Sequence, residues 1–394
     1  MTARSTEFTA ADLRHMRRAL DLARSALYRT SPNPRVGCVL VRDGAVLGEG
    51  ATQAAGQDHA EVQAVKQAWA SGHTLQGATA YVTLEPCAHH GRTPPCADLL
   101  AAQGVARLVV AMVDPNPLVA GKGLQRLRQA GALVQTGLCA DEAREINIGF
   151  FSRMQRGTPW VRLKVAASLD GVTALPNGAS QWITGEAARA DGHHWRARAC
   201  AVLTGVGTVR ADDPQLTVRA VDTPRQPIRI VVDSRLELPH HARLLQNTAS
   251  PLWLVHALPA EQAAARLAAL RAAATPGLEL DAIALPAAPD KPGKTDLRAL
   301  LTVLGQRGIN ELHCEAGEKL NGSLLRAGVV DELLLYLAPI LLGQGAGLAA
   351  LGPFSRLDEA PRLRWHAIDR IGEDVRLLLR LSSATFEVPP CSPD

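Results

Sequence analysis

The chain has 394 residues, which is long for one ordinary domain and predicts two. Hydrophobic residues make up 47% and charged residues 20%, which are globular values, and the formal net charge of +4 suits anionic small substrates. Scattered basic residues and an aromatic content of only 4% argue against a nucleic-acid partner. No apolar run reaches ~18 residues, so we expect no transmembrane helix and no membrane partner.

The N-terminal segment MTARSTEFTAADLRHM is polar and charged, and it lacks the apolar centre of a signal peptide. The seven cysteines are an odd number in a long chain without export signals. Such a chain is typical of the reducing cytoplasm, where cysteine serves for metal binding, chemistry or packing. We therefore expect a cytoplasmic protein.

Helices and strands alternate along the first part of the chain. In order, the pattern predicts a helix over 10–28, strands over 36–41 and 45–50, a helix over 59–70, a strand over 78–86, a helix over 95–104, a strand over 107–114, a helix and a strand within 123–136, and a helix over 141–157. The Asp43-Gly44 pair between two apolar runs predicts a hairpin. This order predicts an α/β layered domain over residues 1–150.

The pattern of strands restarts after residue 157. We expect strands over 161–168, 199–205, 227–233, 251–256, 309–317 and 330–341. The segment 258–295 is rich in alanine and proline, and we interpret it as a variable connector with one surface helix and a loop, APDKPGKT. These elements predict a second α/β domain over 151–388, followed by a tail over 389–394.

The stretch HAEVQAV and the later EPCAHHGRTPPC carry the first candidate site. A histidine nitrogen (His59) and two thiolates (Cys87 and Cys96) suit zinc, and three protein ligands leave the fourth position to water, as in catalytic sites. Zinc brings the pKa of its water toward ~7. Glu61 is not a ligand and is placed to move protons. The order H-x-E, then P-C, is that of zinc deaminases, although eight residues instead of two separate the cysteines.

Two other interpretations of the cysteine pair remain open. The cysteines could close a disulfide loop in an exported protein. They could also belong to a structural zinc site with His89 or His90 as fourth ligand, which would leave Glu61 without a purpose. In the catalytic interpretation, the loop between the cysteines presents His89, His90 and Arg92, whose donors suit an anionic substrate.

A second candidate site needs a turn that can hold phosphate. The segment GVGTVR (205–210) lacks the third glycine of the usual dinucleotide motif. In HCEAGEKLNGSLL (313–325), a strand ends at Glu315, Gly317 permits a tight turn, and a helix follows. N–H groups at that helix start could hold a cofactor phosphate. An ordinary strand-to-helix turn is the alternative.

Four segments, SPNPRVGCVLV, HAEVQAV, TLEPCAHHGRTPPC and DPNPLVAGKG, resemble the deaminase half of the bifunctional riboflavin-biosynthesis deaminase/reductase family. The resemblance implies a cytidine-deaminase-like α/β/α layered fold. It also implies zinc-dependent hydrolytic deamination of a diaminohydroxy-phosphoribosylaminopyrimidine, with Glu61 protonating the ring nitrogen and then the leaving ammonia. Asn33 would line the pocket, or it is a turn residue.

Five later segments, KVAASLDGVTA, SQWIT, TGVGTVRADDPQLTVR, PIRIVVDS and EAGEKLNGSLL, are similar in order and spacing to the reductase half of this family. The similarity implies a dihydrofolate-reductase-like fold that uses NADPH to reduce a ribosylamino group to ribitylamino. The residues it implies for NADPH are Ala166, Trp182, Thr208, Asp212, Ser234, Gly317, Glu318, Lys319, Leu320, Asn321, Gly322 and Ser323. Those it implies for the substrate are Ser180, Arg196, Leu216, Arg219 and Glu315.

More specific roles are expected for some residues of the reductase half. Arg196 and Arg219 make sense as bidentate clamps on a ribose phosphate. Lys164 either handles a proton or is a strand lysine paired with an acid. Many family members have proline where this chain has Glu318, and a carboxylate there would repel cofactor phosphates unless it points to water. The resemblance also implies a homo-oligomer, a dimer or tetramer, associating through the reductase half.

Three other hypotheses compete with the two-step enzyme. A nucleic-acid-editing deaminase would need a basic, aromatic groove, which the composition does not offer. A zinc module without enzymatic activity would make Glu61 dispensable. A family member with one working half would lack part of one motif set, whereas both sets are intact in this sequence.

Overall fold

A computed structural model describes residues 7–88, 95–117, 119–289 and 291–381. The chain divides into two compact units, Met1–Gly157 and Thr158–Asp394. The expected tail 389–394 and the loop residues His89, His90 and Arg92 lie outside the described residues. Within the described ranges, no helix is both long and apolar enough to cross a membrane.

A five-stranded sheet with strand order β2-β1-β3-β4-β5 is the centre of the first unit. Its strands are β1 (Gly37–Arg42), β2 (Ala45–Ala51), β3 (Thr79–Val82), β4 (Arg107–Val110) and β5 (Leu133–Thr136). β1 pairs antiparallel with β2 and β3, whereas β3, β4 and β5 run parallel. The helices are α1 (Ala10–Ser25), α2 (Ala60–Ala70), α3 (Cys96–Ala102), α4 (Lys122–Gln129), α5 (Ala140–Ile146) and α6 (Ile148–Arg156).

Helices cover both faces of this sheet. Side chains of α2, α3, α4 and α6 pack with Cys38 and Leu40 on one face, and those of α1 and α5 pack with Val39 and Val41 on the other. Successive strand residues point to opposite faces, so a strand covered on both sides is apolar throughout, as in the run CVLV of β1. The predicted α/β/α layered fold is confirmed.

The hairpin predicted for this unit is confirmed, whereas the prediction of a single last helix is wrong. Asp43 and Gly44 have φ of 53° and 79°, as a two-residue hairpin turn requires, and β1 and β2 pair as predicted. The single helix predicted over 141–157 is instead two helices. They break at the buried Asn147, whose amide accepts the Arg35 N–H at 2.8 Å and donates to the Arg35 carbonyl at 2.8 Å.

The second unit is built on a nine-stranded sheet with the order β10-β9-β8-β7-β13-β6-β14-β16-β15. Its strands are β6 (Trp160–Ser168), β7 (Ala201–Gly205), β8 (Ile228–Val232), β9 (Leu252–His256), β10 (Leu280–Ala284), β13 (Glu311–Cys314), β14 (Glu332–Ala338), β15 (Leu363–Ile371) and β16 (Asp374–Leu381). A separate hairpin pairs β11 (Ala287–Ala288) with β12 (Lys291–Thr295). The helices are α7 (Glu186–Arg198), α8 (Val206–Asp212), α9 (Arg243–Gln246), α10 (Ala260–Ala273), α11 (Leu297–Gln306) and α12 (Glu318–Arg326).

The predicted connector over 258–295 is wrong in part. It contains the expected helix, α10, but β10 also extends the sheet beside β9, and the last five residues of the expected loop APDKPGKT form the strand β12. The Ser234 hydroxyl accepts the N–H of Thr295 at 3.1 Å, which fixes the end of the hairpin near β8. The final antiparallel pair, β15 and β16, was not predicted.

The connections that follow the parallel neighbours β7 and β13 lead toward opposite edges of the sheet. The chain leaves β7 for β8 on one side, and it leaves β13 for β14 on the other. α8 follows β7 directly, and α12 begins shortly after β13. A crevice forms outside the carboxyl ends of parallel strands at such a switch point, and ligands of open α/β sheets bind there. The topology therefore places a binding site at the start of α8 and α12.

Candidate functional site

Three metal-ligating side chains of the first unit meet at one point. His59 Nδ1 lies 3.7 Å from Cys87 Sγ and 3.4 Å from Cys96 Sγ, and all three ligand atoms lie within 4.8 Å of one another. A tetrahedral zinc at ~2.0 Å from nitrogen and ~2.3 Å from sulfur separates those two atoms by about 3.5 Å. The spacing of these side chains therefore fits a zinc ion.

Close packing of α2 on β2 positions two residues of this site. A Cβ on Gly48 or Gly50 would lie 2.2 Å from a carbonyl oxygen of α2, so a larger residue at either position would push the helix away. His59 is the N-cap of α2 and makes no side-chain capping bond. Glu61 lies in the first turn and is buried. The helix start therefore brings the His59 ring and the Glu61 carboxyl to the same site.

The buried carboxylate of Glu85 fixes the segment that carries Cys87. It accepts hydrogen bonds from four backbone N–H groups, those of Asp114 (3.1 Å), Gly121 (2.9 Å), Gly123 (2.9 Å) and Leu124 (3.3 Å). Glu85 thus joins the end of β3 to the start of α4. It was not among the predicted site residues. Its signal in the sequence was an acidic residue at a strand end, directly before Pro-Cys.

Burial sets the proton affinity of Glu61. Burial above all, and then the negative charge of Cys87, raises the pKa of Glu61 to about 7. The hydrogen bond with Cys96 and the neighbouring His59 lower the pKa of Cys87 below its usual range. The site thus holds a thiolate and a carboxyl group that can gain or lose a proton near neutral pH.

The structure also bears on the alternatives for this region. Cys87 and Cys96 are both free, so the disulfide interpretation is wrong for the structure. The alternative with His89 or His90 as a fourth ligand concerns residues outside the described ranges. Asn33 donates its backbone N–H to Thr30 at 2.8 Å, which places it in a turn, and its role in a pocket stays a prediction.

The second unit contains a cleft of about 2200 Å³ at the switch point. This volume exceeds that of ordinary small-molecule pockets, about 300–1,000 Å³, and leaves room for a dinucleotide and a second ligand. The predicted residues that line the cleft are Lys164, Ala166, Ser180, Trp182, Arg196, Thr208, Asp212, Leu216, Arg219, Ser234, Glu315, Gly317, Glu318, Lys319, Leu320 and Ser323.

Two predicted cofactor residues do not line this cleft. The Asn321 amide donates to the Leu348 carbonyl at 2.8 Å. A Cβ on Gly322 would lie 2.2 Å from the Ala350 carbonyl oxygen, so this glycine serves packing. Residues 317–323 were predicted as one contact segment, but residues of a helix turn through successive faces, and these two face the interior.

The start of α12 is tied to its surroundings. Gly317 donates its N–H to the Thr208 hydroxyl at 3.1 Å, which joins the starts of α8 and α12. The Glu318 carboxylate accepts the N–H of Gly347 at 3.1 Å. This contact orients the carboxylate but leaves its negative charge, and Glu318 lines the cleft, so its repulsion of cofactor phosphates stays a prediction.

The Arg196 guanidinium is bonded to protein groups in this structure. Its Nη2 donates to Glu315 Oε2 at 2.7 Å, its Nε bonds the other carboxylate oxygen, and its Nη1 donates to the Thr217 carbonyl at 3.1 Å. Burial opposes ionisation of Glu315, but Arg196 outweighs it and holds the pKa of Glu315 well below its usual value. These bonds leave few Arg196 donors free for a ligand in this structure, and its role as a bidentate phosphate clamp stays a prediction.

Lys164 lies 5.8 Å from the centre of the Tyr336 ring. Burial is the main cause that lowers the pKa of Lys164. Over the described ranges, the structure records no ion pair for this lysine, so the paired-lysine alternative is not what it shows.

Three further residues, Arg189, His193 and Arg243, line the cleft and were not predicted. The helical spacing of residues 189, 193 and 196 was the available signal.

Comparisons with known proteins agree with these two sites. Residues 9–112 match the cytidine and deoxycytidylate deaminase zinc-binding region, and residues 159–377 match the RibD C-terminal domain. The fold and the sites thus define a two-domain enzyme, a zinc-dependent deaminase followed by a reductase. The chain is 46% identical over 384 residues to riboflavin biosynthesis protein RibD of Escherichia coli (strain K12), covering 93% of this chain and 98% of that protein.

Other relatives give the same result. RibD of Haemophilus influenzae is 45% identical over 391 residues, covering 94% of this chain and 98% of that protein. The Acinetobacter baumannii RibD structure (form 1) has a TM-score of 0.82 at 43% identity, covering 94% of this chain and 99% of that chain. A diaminohydroxyphosphoribosylaminopyrimidine deaminase/5-amino-6-(5-phosphoribosylamino)uracil reductase from Thermotoga maritima has a TM-score of 0.81 at 30% identity, with the same coverage.

The chain belongs to the RibD family, the bifunctional deaminase/reductases of riboflavin biosynthesis. Its first domain is a zinc-binding deaminase domain, and its second is an NADPH-dependent reductase domain with a dihydrofolate-reductase-like fold.

Proposed function

We propose that this chain catalyses two consecutive steps on phosphorylated pyrimidine substrates. Residues 1–150 deaminate the diaminohydroxy-phosphoribosylaminopyrimidine, and residues 151–388 reduce the resulting 5-amino-6-(5-phosphoribosylamino)uracil. Similarity to the Thermotoga maritima deaminase/reductase, which is named for these two compounds, supports this choice of substrates. The observation that carries the proposal is the meeting of His59, Cys87 and Cys96 at zinc-compatible distances beside the buried Glu61.

In the deaminase site, His59, Cys87 and Cys96 hold the metal. Zinc, when bound by these ligands, supplies the Lewis acid that activates a water molecule for attack on the amine-bearing carbon. Glu61 would carry one proton from that water to the ring nitrogen and a second proton, from the newly added hydroxyl group, to the amino group, which leaves as ammonia. The burial of Glu61 beside the zinc ligands supports this role, because burial raises the pKa of a carboxyl group toward the working pH of a general acid–base group.

In the reductase site, the first turn of α12 holds the cofactor phosphates. The N–H groups of Glu318 and Lys319 at that turn lack partners within the helix, and the helix dipole favours an anion there. NADPH, when bound, supplies the hydride that converts the ribosylamino group to ribitylamino. Lys164 donates the proton that the reduced substrate needs, and the lowered pKa of this lysine supports that role. The other predicted residues that line the cleft bind cofactor or substrate as the family resemblance implies.

The chain also forms a homo-oligomer, a dimer or tetramer, through the reductase unit. β15 is an edge strand of the nine-stranded sheet, and its Trp365 and Ile368 are 64% and 62% exposed. An exposed apolar edge strand favours association, and pairing with the same edge of a second copy would bury its apolar side chains. Sedimentation equilibrium, which measures the mass of the species in solution, tests this point.

The enzyme works in the cytoplasm, where its six described free cysteines stay reduced.

Glu61→Gln tests the deaminase proposal most sharply. The variant should lose ammonia release by about 10²- to 10⁴-fold, the usual contribution of a general acid–base group, while it keeps its zinc. NADPH oxidation with 5-amino-6-(5-phosphoribosylamino)uracil should stay at the wild-type rate. A zinc module without enzymatic activity predicts no ammonia release from the wild type. Ammonia release by Glu61→Gln at the wild-type rate would remove Glu61 from the mechanism.

A further inference from the structure

One stripe of α7 faces the reductase cleft. Arg189, Gly192, His193 and Arg196 line the cleft, and their spacing places them along one side of the helix. A Cβ on Gly192 would meet no atom within 4 Å, so the helix surface is open at this point. His193 therefore lies in a part of the cleft where a ligand has room to approach.

A backbone hydrogen bond orients the His193 ring. The N–H of Arg219 donates to His193 Nδ1 at 3.3 Å. A ring nitrogen that accepts a hydrogen bond carries no hydrogen, so a neutral His193 ring has its hydrogen on Nε2. Over the described residues, the structure records no partner for Nε2. His193 thus offers one N–H donor to the cleft, and the same ring is joined to the backbone of Arg219.

The charges around His193 are mostly positive. The charge of Arg196 is taken up by Glu315. Lys164, Arg219 and Arg243 line the same cleft, and within the described ranges the structure records no ion pair for any of them. Burial, Arg196 and Arg219 lower the pKa of His193 to about 4, so the ring is neutral at physiological pH.

This arrangement suits a phosphate monoester. Such a group carries nearly two negative charges and three acceptor oxygens, so it needs both positive charge and several donors. The Arg219 guanidinium supplies the charge. It is held by one donation to the Thr217 hydroxyl at 3.2 Å, which leaves its other donors available.

We propose that His193 is a substrate-binding residue of the reductase site, where its Nε2–H donates to the substrate phosphate that Arg219 neutralises. This inference rests on the proposed function, which gives the reductase a phosphorylated substrate. It adds a donor to a phosphate site in which the Arg196 guanidinium is already bonded to Glu315. The His193 ring thereby connects the substrate phosphate, at Nε2, with the backbone N–H of Arg219, at Nδ1.

The test compares two substrates in steady-state assays of NADPH oxidation. One is 5-amino-6-(5-phosphoribosylamino)uracil, and the other is the same molecule without its phosphate. His193→Ala should raise KM for the phosphorylated substrate by about 10- to 100-fold, the value of a hydrogen bond to a charged group. It should leave KM for the dephosphorylated substrate, KM for NADPH and the rate of ammonia release unchanged.

Three further variants separate contact from positioning. His193→Gln keeps a side-chain N–H donor at the Nε2 end and should recover part of the loss. His193→Asn can place its amide oxygen near the Arg219 N–H, but its shorter side chain carries no donor to the position of Nε2, so it should not. His194→Ala is the matched control, because His194 is the next residue of α7, is exposed and does not line the cleft. It should behave as the wild type.

Three results would overturn the inference. They are an unchanged KM in His193→Ala, an equal rise in KM for both substrates, and full recovery by His193→Asn but not by His193→Gln. The wild type separates this inference from the proposed function. If the wild type does not oxidise NADPH with the phosphorylated substrate, the proposed function fails. If it does, only the role of His193 is in question.

Discussion

Asp12 shows how strongly a single buried carboxylate can tie the first unit together. It accepts hydrogen bonds from the Thr9 N–H at 2.8 Å, the Tyr81 hydroxyl at 2.7 Å and Arg107 Nη1 at 2.6 Å. Burial opposes its ionisation, but these donors outweigh it and hold the pKa of Asp12 well below its usual value. One side chain thus joins α1 to β3 and β4.

Asp12→Asn should lower the free energy of unfolding by about 3 kcal/mol near neutral pH, because it leaves Arg107 without its charged partner. The folded-state pKa is depressed, so the stabilisation is complete above the unfolded pKa of about 3.9 and is lost as the pH falls below it. The difference between wild type and variant should therefore shrink in acid. Urea unfolding at about pH 7 and about pH 3 measures it.

Asp21→Asn is the matched control for this prediction. Asp21 lies on the same helix, but it is exposed and pairs with the exposed Arg24 at 2.8 Å. A surface pair of this kind contributes about 0–1 kcal/mol. Equal effects of Asp12→Asn and Asp21→Asn would contradict the role given to the buried carboxylate.

At the scale of elements, the sequence predicted what local patterns determine. The β1–β2 hairpin follows from Asp43-Gly44, and α2 from its apolar spacing. The break at Asn147 was not predictable, because its partner, Arg35, lies 112 residues away along the chain. The same reason applies to β10, since pairing with β9 rather than composition makes that segment a strand.

Contact between β2 and α2 leads to a prediction about the metal centre. Gly50→Ala should displace α2, because the added Cβ would lie 2.2 Å from the Ala60 carbonyl oxygen. We expect a loss of about 1–3 kcal/mol in the free energy of unfolding, as for other overpacked sites, and faster zinc loss to a chelator. Urea unfolding and a colorimetric zinc-release assay measure these effects.

Val46→Ala provides the control on the same strand, because Val46 is 45% exposed to solvent. This variant should keep both the stability and the zinc-release rate of the wild type. If Gly50→Ala released zinc no faster than Val46→Ala, close packing of α2 would not be what positions His59.

For the whole molecule, the sequence predicted the zinc ligands better than the reductase cleft. The H-x-E and P-C motifs place the metal-site residues in short segments, and the structure brings those three ligands together. The Arg196–Glu315 pair spans 119 residues of chain, and it occupies guanidinium donors that a ligand would otherwise use. Likewise, the four N–H groups on Glu85 come from residues 29 to 39 positions further along the chain, in a loop and in the first turn of α4. Motifs identify which residue types are present, but their partners depend on the fold.

The central claim is that one chain carries a zinc-dependent deaminase site and a separate reductase site. The most direct measurement strips zinc from the wild type with a chelator, confirms its loss by atomic absorption, and follows ammonia release and NADPH oxidation. We expect ammonia release to stop and to return with added zinc, while NADPH oxidation with 5-amino-6-(5-phosphoribosylamino)uracil continues at the original rate. Ammonia release that survives zinc removal, or reduction that falls in proportion to zinc, would contradict this claim.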